Sequence, residues 1–190
     1  MFLEQKKMKD YIYLNNKIMQ KQNGFFQLDQ DRLAVEKFEE EVQSKLMTFN
    51  TPLERLRYLI NESYYTNIFE QYSEQQVLDL INRIYAYQFK FQSFMAISKF
   101  YQSYALKTND GRFYLETYED RIVSVALALG QGNYEKATEL AIAMIEQRYQ
   151  PATPTFLNAG KSRSGEMVSC FLLEMDDSLN SINYVLNTCG

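Results

Sequence analysis

Apolar positions recur at helical spacing along most of this chain, and the period changes abruptly near residue 151. Over 8–22, Tyr11, Ile12, Leu14, Ile18 and Met19 interleave with Lys and Gln, which suits a short amphipathic helix ended by the Asn23-Gly24 turn signal. From Asp29 or Asp31, Leu33, Val35, Phe38, Val42 and Leu46 form an approximate 3.6-residue stripe, with Glu39, Glu40 and Glu41 on its solvated face. Thr51-Pro52-Leu53-Glu54 is a helix start: Thr caps, Pro takes the first helical position and Glu reaches back. Leu53, Leu56, Leu59 and Ile60 then face a core. Ser73 to Gln76 repeats the start signal, and Val77, Leu80, Ile81, Ile84 and Tyr85 follow at i, i+3, i+4, i+7 and i+8.

The aromatic density of Phe89 to Leu106 predicts a helix buried on several sides, broken at Asn109-Asp110-Gly111. Residues 118–129, YEDRIVSVALAL, read as a strongly apolar helix, and Gly130-Gln131-Gly132-Asn133 ends it and caps the next. That next helix runs from Tyr134 to about Tyr149, and Pro151 stops it. Short connections make roughly 100 of these residues an antiparallel helical unit. Beyond Pro151, Gly160 and Gly165 flank the basic loop Lys161-Ser162-Arg163-Ser164. Val168 to Leu173 is an uninterrupted run that predicts a strand buried on both faces, as inside a parallel α/β sheet or barrel. Asp177 or Ser178 caps a final helix with Leu179, Ile182, Val185 and Leu186. Strand then helix is half of a βα unit, whose partner strands are not in these residues. The expected architecture is therefore mainly α, followed by the first strand and helix of an α/β domain. It divides into an N-terminal helical appendage (1–48), an all-α domain (49–150) and the start of the α/β domain (151–190).

Composition narrows the chemistry. The chain has 190 residues, 46% of them hydrophobic, and a formal charge of −4, which fits a folded chain and leaves no basic footprint for nucleic acid. Its 15 Tyr and 13 Phe are read as core residues, because no basic groove accompanies them. No apolar run of about 18 residues is present to span a membrane. The first ten residues lack the apolar core of a secretion signal, so a cytoplasmic location is expected. Histidine is absent, which removes Ser-His-Asp and Cys-His catalysis. Two cysteines cannot fill a structural zinc shell, so no metal site is expected, and they are too few for a disulfide framework.

Cys170 admits two readings: a thiol packed as a small hydrophobe, or a redox thiol that needs a second cysteine at disulfide distance. Cys189, across a helix, is the sole candidate partner in the chain. Thr153, Thr155 and Ser169 lie near turns, where hydroxyls either hold phosphate oxygens or serve ordinary cap chemistry. Asp177 reads as a helix cap. Lys161 and Arg163 either attract an anion or keep a loop solvated. Spacing alone names no reaction.

The segment QRYQPATPTFLNAGKSRSGEMVSCFLLEMDDSLNSIN closely resembles the large (α) subunit of class Ib ribonucleoside-diphosphate reductase. KFYQSYALKTNDGRFYLETYEDRIVSVAL resembles the helical domain that precedes the barrel in that family, and LNNKIMQKQNGFFQLDQDRLAVEKF its shortened ATP-cone region. The resemblance implies reduction of ribonucleoside diphosphates to 2′-deoxyribonucleotides by thiyl-radical and dithiol chemistry in a ten-stranded α/β barrel. Cys170 matches one thiol of the redox pair, whose partner lies outside the chain. Thr153 matches a substrate-contacting position, Ser169 with Cys170 matches another, and Asp177 matches a contact to the specificity effector.

The same resemblance implies ATP and dNTP effectors, no cofactor bound directly, and a dimetal-tyrosyl radical cofactor in a β subunit. Its implied partners are the C-terminal remainder of α, that radical-generating β subunit, a thioredoxin- or glutaredoxin-like reductant, the ribonucleoside diphosphates and, when complete, a second α. Cys189 matches no family position. The chain alone is expected to be inactive. The competing readings are a non-catalytic nucleotide-binding or reductase-regulating helical module, and a non-functional remnant.

Overall fold

Capping chemistry sets most of the helix starts in the computed structural model, which describes residues 32–163, 165–170 and 172–189. The helix expected over 8–22, the Asn23-Gly24 turn and the caps at Asp29 or Asp31 lie outside the described residues. Helix α1 (Arg32–Lys45) buries Val35, Phe38 and Val42 of the stripe read from spacing, with Ala34 beside them, whereas Leu33 is exposed and Leu46 lies beyond the helix end. Helix α2 (Pro52–Asn61) starts where the Thr51 hydroxyl accepts the Glu54 N–H, and the Glu54 carboxylate reaches back to accept the Asn50 N–H at 3.0 Å. Helix α3 (Glu74–Tyr85) has both halves of a capping box, Ser73 with Gln76. Helix α4 (Phe94–Lys99) runs into a π-helical turn, Phe100–Tyr104. Helix α5 (Tyr118–Gly130) opens on a second capping box, Thr117 with Asp120. Helices α6 (Tyr134–Ile145), α7 (Thr153–Asn158) and α8 (Leu179–Cys189) complete the order.

The core is arranged around α5. Burial extends from Arg121 without interruption through Leu127, as expected of a helix covered on several sides. Helices α3, α6 and α7 pack against it, α2 packs on α3, and α1 packs on α4. Aromatic rings seal the end nearest α7: Tyr118 of α5 lies 4.6 Å from Phe89 and 5.1 Å from Phe100, centroid to centroid. Such packing contributes beyond the area it removes from water. The second network at this level is polar. Arg55 pairs with Asp120 at 2.6 Å, and the Tyr85 hydroxyl donates to the same carboxylate at 2.7 Å, tying α2 and α3 to the start of α5.

Helices α5 and α6 approach closely because glycine and alanine line their meeting point. A Cβ on Gly130 would sit 2.6 Å from the Tyr72 hydroxyl and 2.7 Å from the Ala137 Cβ. Tyr72 cannot easily withdraw, since its hydroxyl donates to the Leu127 carbonyl and accepts the Gly132 N–H, both at 2.9 Å. Gly130→Ala is therefore expected to destabilise the chain by about 1–3 kcal/mol despite its better helix propensity. Urea unfolding of the two forms measures it, and a neutral or stabilising result contradicts the packing.

Four elements differ from the expected pattern, the first being α7, where a turn-rich entry to the strand was expected. Only Phe94–Tyr104 of the aromatic segment is helical, because Gln88 takes a left-handed φ of 47° after α3 and Ser93 starts α4 anew by accepting the Ala96 N–H. The helix from Tyr134 ends at Ile145, short of Pro151. Gln147 at φ 60° turns the chain back, and the N–H groups of Arg148 and Tyr149 close on the Ala143 carbonyl. The buried strand over Val168 to Leu173 is not formed among the described residues, where Val168, Leu172 and Leu173 are exposed. A strand needs neighbours to pair its backbone groups. Among the described residues the only β pairings are three isolated bridges elsewhere, Leu46 with Tyr114, Tyr65 with Lys161 and Lys107 with Tyr114. The mainly helical class stands. Among the described residues no helix is long and apolar enough to cross a membrane.

Candidate functional site

Helix α7 is too short to hold itself, and a buried arginine holds it. Arg121 is fully buried on α5. Its Nε donates to the Phe156 carbonyl at 2.8 Å and its Nη2 donates to the Ala159 carbonyl, so one guanidinium binds the last turn of α7 and the residue that follows. Its Nη1 donates to the Tyr65 hydroxyl at 3.3 Å, and that hydroxyl in turn donates to Glu116. Glu116, also fully buried, accepts the Leu106 N–H at 2.7 Å and lies 4.0 Å from Arg121. Burial pushes the Glu116 carboxyl up, against the opposing pull of Arg121 and of Lys161. Burial likewise lowers the Lys161 ammonium, which Glu116 partly offsets. The fixed fork of arginine suits a site where several carbonyls must be met at once.

The chain after α7 lies flat on α5 through Gly160. Its φ of 77° is a left-handed conformation, and a Cβ there would meet the Ser124 hydroxyl at 2.8 Å. The Gly160 carbonyl accepts the Thr66 N–H, and the Ser162 N–H donates to the Tyr64 carbonyl, both at 3.0 Å. Segment 160–162 is thus fixed from two sides.

Thr153 opens α7, exposed, with its hydroxyl 3.0 Å from the Tyr104 hydroxyl. Both residues edge a cleft of about 580 Å³ lined by Phe89, Phe91, Phe100, Tyr118 and Phe156. Farther along α7, the Thr155 hydroxyl donates to the Met167 carbonyl at 2.7 Å, and the Asn158 amide donates to the Glu166 carbonyl at 2.9 Å. These two bonds moor the segment that carries Ser169 and Cys170. Both are exposed, with hydroxyl and thiol 3.7 Å apart. The structure therefore brings Thr153, through its helix, and the Ser169-Cys170 segment into one connected unit.

Asp177 is exposed before α8, and no contact joins it to the other three among the described residues. It is not the cap: Ser178 is. The Ser178 hydroxyl accepts the Ser181 N–H at 3.2 Å, and its carbonyl accepts the Ile182 N–H. The Cys170 thiol is free and exposed, not packed as a small hydrophobe. The side chain of Cys189 lies outside the described residues. Among the described residues no three His, Cys, Asp or Glu side chains gather where they could hold a metal ion.

Sequence spacing missed Arg121, Glu116, Tyr65 and Tyr104. One signal was available for the first of these. Arg121 opens an otherwise uncharged run that lasts to Tyr134, and a charge on the buried stripe of such a helix requires partners.

Comparison with known proteins adds a second line. Residues 11–89 match the family model described as "Ribonucleotide reductase N-terminal", and residues 90–164 match "Ribonucleotide reductase, all-alpha domain". The chain is 47% identical over 94% of its length to ribonucleoside-diphosphate reductase NrdEB subunit alpha of Bacillus subtilis (strain 168), covering 17% of that protein. It is 46% identical over 97% of its length to another subunit alpha of the same organism, covering 27% of it. The ribonucleoside-diphosphate reductase large subunit of a variola virus isolate is 32% identical over 59% of the chain, and 14% of that protein is covered. The chain thus spans about a sixth to a quarter of the length of the curated relatives it matches.

Proposed function

The chain belongs to the ribonucleotide reductase large-subunit family, in which it carries the N-terminal and all-alpha domains, and from that premise we propose that it acts as part of the α subunit of a class Ib ribonucleoside-diphosphate reductase. The observation that carries the reading is the mooring of the Thr153 helix to α5 by Arg121, and of the Cys170 segment to that helix by Thr155 and Asn158. A helical unit built in this way presents groups for a reaction without supplying all of it.

In this reading residues 1–48 are a shortened ATP-cone-like appendage, 49–150 a scaffold, and 151–190 the start of the catalytic α/β barrel. Thr153 and Ser169 contact the ribonucleoside diphosphate. Cys170 is one thiol of the pair that becomes a disulfide as the ribose loses its 2′-hydroxyl. Asp177 faces an effector dNTP, with ATP as a further effector. The chain binds no cofactor directly. The radical originates at a dimetal-tyrosyl centre in a β subunit, and a thioredoxin- or glutaredoxin-like protein restores the dithiol. Two α subunits pair, and the assembly works in the cytoplasm. Exposed hydroxyls and a thiol on one moored unit support the substrate-facing part of this assignment.

Residues 1–190 alone are expected to form no dCDP from CDP. Combined with the C-terminal remainder of α, the β subunit and a thioredoxin-like reductant, they are expected to form it. Turnover by residues 1–190 alone overturns the assignment, and so does the absence of turnover in a mixture whose parts are shown to associate.

A further inference from the structure

We infer that Tyr104 is a positioning residue for substrate binding: the π-helical turn after α4 carries its phenol to Thr153 and fixes the Thr153 hydroxyl as a donor to a phosphate oxygen of the nucleotide. The inference rests on the reading of Thr153 as a substrate contact.

The geometry begins with a backbone irregularity. The Ala105 N–H bonds the carbonyl of Phe100, five residues back, at 2.9 Å, and so widens the turn from Phe100 to Tyr104. Turns of this kind are rare and occur frequently at functional sites. Phe100 and Tyr101 are buried in the aromatic core, while Tyr104 is left half-buried at the edge of the cleft. Its ring rests on Phe156 of α7 at 5.8 Å, nearly edge-on, and its hydroxyl stands 3.0 Å from Thr153 Oγ1. Phe156 is the residue whose carbonyl Arg121 holds. The Tyr104 ring and the Thr153 hydroxyl are thus referenced to the same anchored helix.

Chemistry then fixes the direction of the bond. A threonine hydroxyl has one proton and rotates to suit its neighbours. An ionised phosphate oxygen accepts and cannot donate, so Thr153 must give its proton to the nucleotide. It can do so while bonded to Tyr104 only if the phenol donates to Thr153. Tyrosine is suited to that role, since its hydroxyl is the more acidic of the two. Without the phenol the threonine rotor is unconstrained, and part of its affinity for the phosphate is lost.

The test uses the assembled reductase with Tyr104→Phe, Thr153→Ala and the double variant. CDP is the probe, and the readouts are its dissociation constant, KM, kcat and the melting temperature. Tyr104→Phe retains the ring on Phe156 and removes only the hydroxyl. It is expected to raise Kd and KM for CDP roughly 3- to 10-fold, the range of one neutral hydrogen bond, with kcat and melting temperature unchanged. Thr153→Ala is expected to raise them at least as much, and adding Tyr104→Phe to it is expected to change nothing further. If Thr153→Ala raises KM while Tyr104→Phe does not, Tyr104 has no positioning role and the reading of Thr153 stands. If the two effects multiply in the double variant, or if Tyr104→Phe lowers the melting temperature together with kcat, Tyr104 acts on the fold and the inference fails. If Thr153→Ala leaves Kd and KM unchanged, the reading of Thr153 falls and the inference falls with it.

Discussion

Arg121→Met is expected to destabilise the helical unit by about 3–5 kcal/mol, the largest loss for any single change in it. Methionine matches much of the arginine stem, so the loss is chiefly polar. The carbonyls of Phe156 and Ala159 lose their donor, and the fully buried Glu116 loses the nearest positive charge. Unpaired buried acceptors cost the full desolvation of each group, which is why the penalty exceeds the net worth of the bonds removed. Because both carbonyls belong to α7 and its exit, the segment bearing Thr153 is also expected to loosen first. Hydrogen exchange over residues 153–160 and urea unfolding check the two halves of this statement.

The variant carries a pH signature that separates a buried-charge effect from simple loss of packing. Burial already holds the Glu116 carboxyl above its ordinary value, and removing Arg121 raises it further. A carboxyl with a raised folded-state pKa favours folding while protonated, below its unfolded value, and that stability is lost as pH rises through the folded value. The penalty of Arg121→Met is therefore expected to be smaller near about pH 4 than near about pH 7.5. Glu116→Gln in the same chain is expected to restore part of the stability at the higher pH. An equal penalty at both pH values shows that Glu116 does not respond to Arg121.

The helical unit was legible in the sequence because its determinants are local. Thr51, Ser73 and Asn133 cap the helices they were read to cap, and the stripe Val77, Leu80, Ile81, Ile84 is the buried face of α3. What failed depended on contacts that spacing does not carry. The early stop of α6 is set by a left-handed glutamine, a residue with no special preference for that conformation. The π-turn at Phe100–Tyr104 is a backbone irregularity that the spacing of apolar residues does not encode. The run Val168 to Leu173 reads as a buried strand because burial patterns describe a residue's eventual neighbours. Those neighbours are not among the described residues, and Val168, Leu172 and Leu173 are exposed. Of the candidate site, the residue types at Thr153, Ser169 and Cys170 were visible from turns and a resemblance. Their mooring was not, since Thr155 with Met167, Asn158 with Glu166 and Arg121 with Phe156 are pairings between distant positions.

On the proposed function, Cys170→Ser is expected to lower turnover of the assembled reductase at least about 1,000-fold while leaving the fold and CDP affinity nearly intact. Replacing the ribose 2′-hydroxyl by hydrogen consumes two electrons and two protons, and releases water. In the proposed reaction two thiols supply both sets and leave one disulfide. With one sulfur replaced by oxygen no disulfide can form, and an alcohol offers no comparable route to the electrons. The serine hydroxyl still occupies the thiol's position beside Ser169, so contacts to a nucleotide persist. Because Cys170 is exposed and free among the described residues, stability is expected to change by less than about 0.5 kcal/mol. This pattern is the inverse of the one expected for Arg121→Met, which acts on the mooring and only through it on the chemistry. Single-turnover dCDP formation, CDP binding and unfolding measured together on the two variants separate the roles. Retention of more than about a tenth of wild-type single-turnover yield by Cys170→Ser removes this thiol from the electron path. The reductant would then have to be sought elsewhere in the assembly.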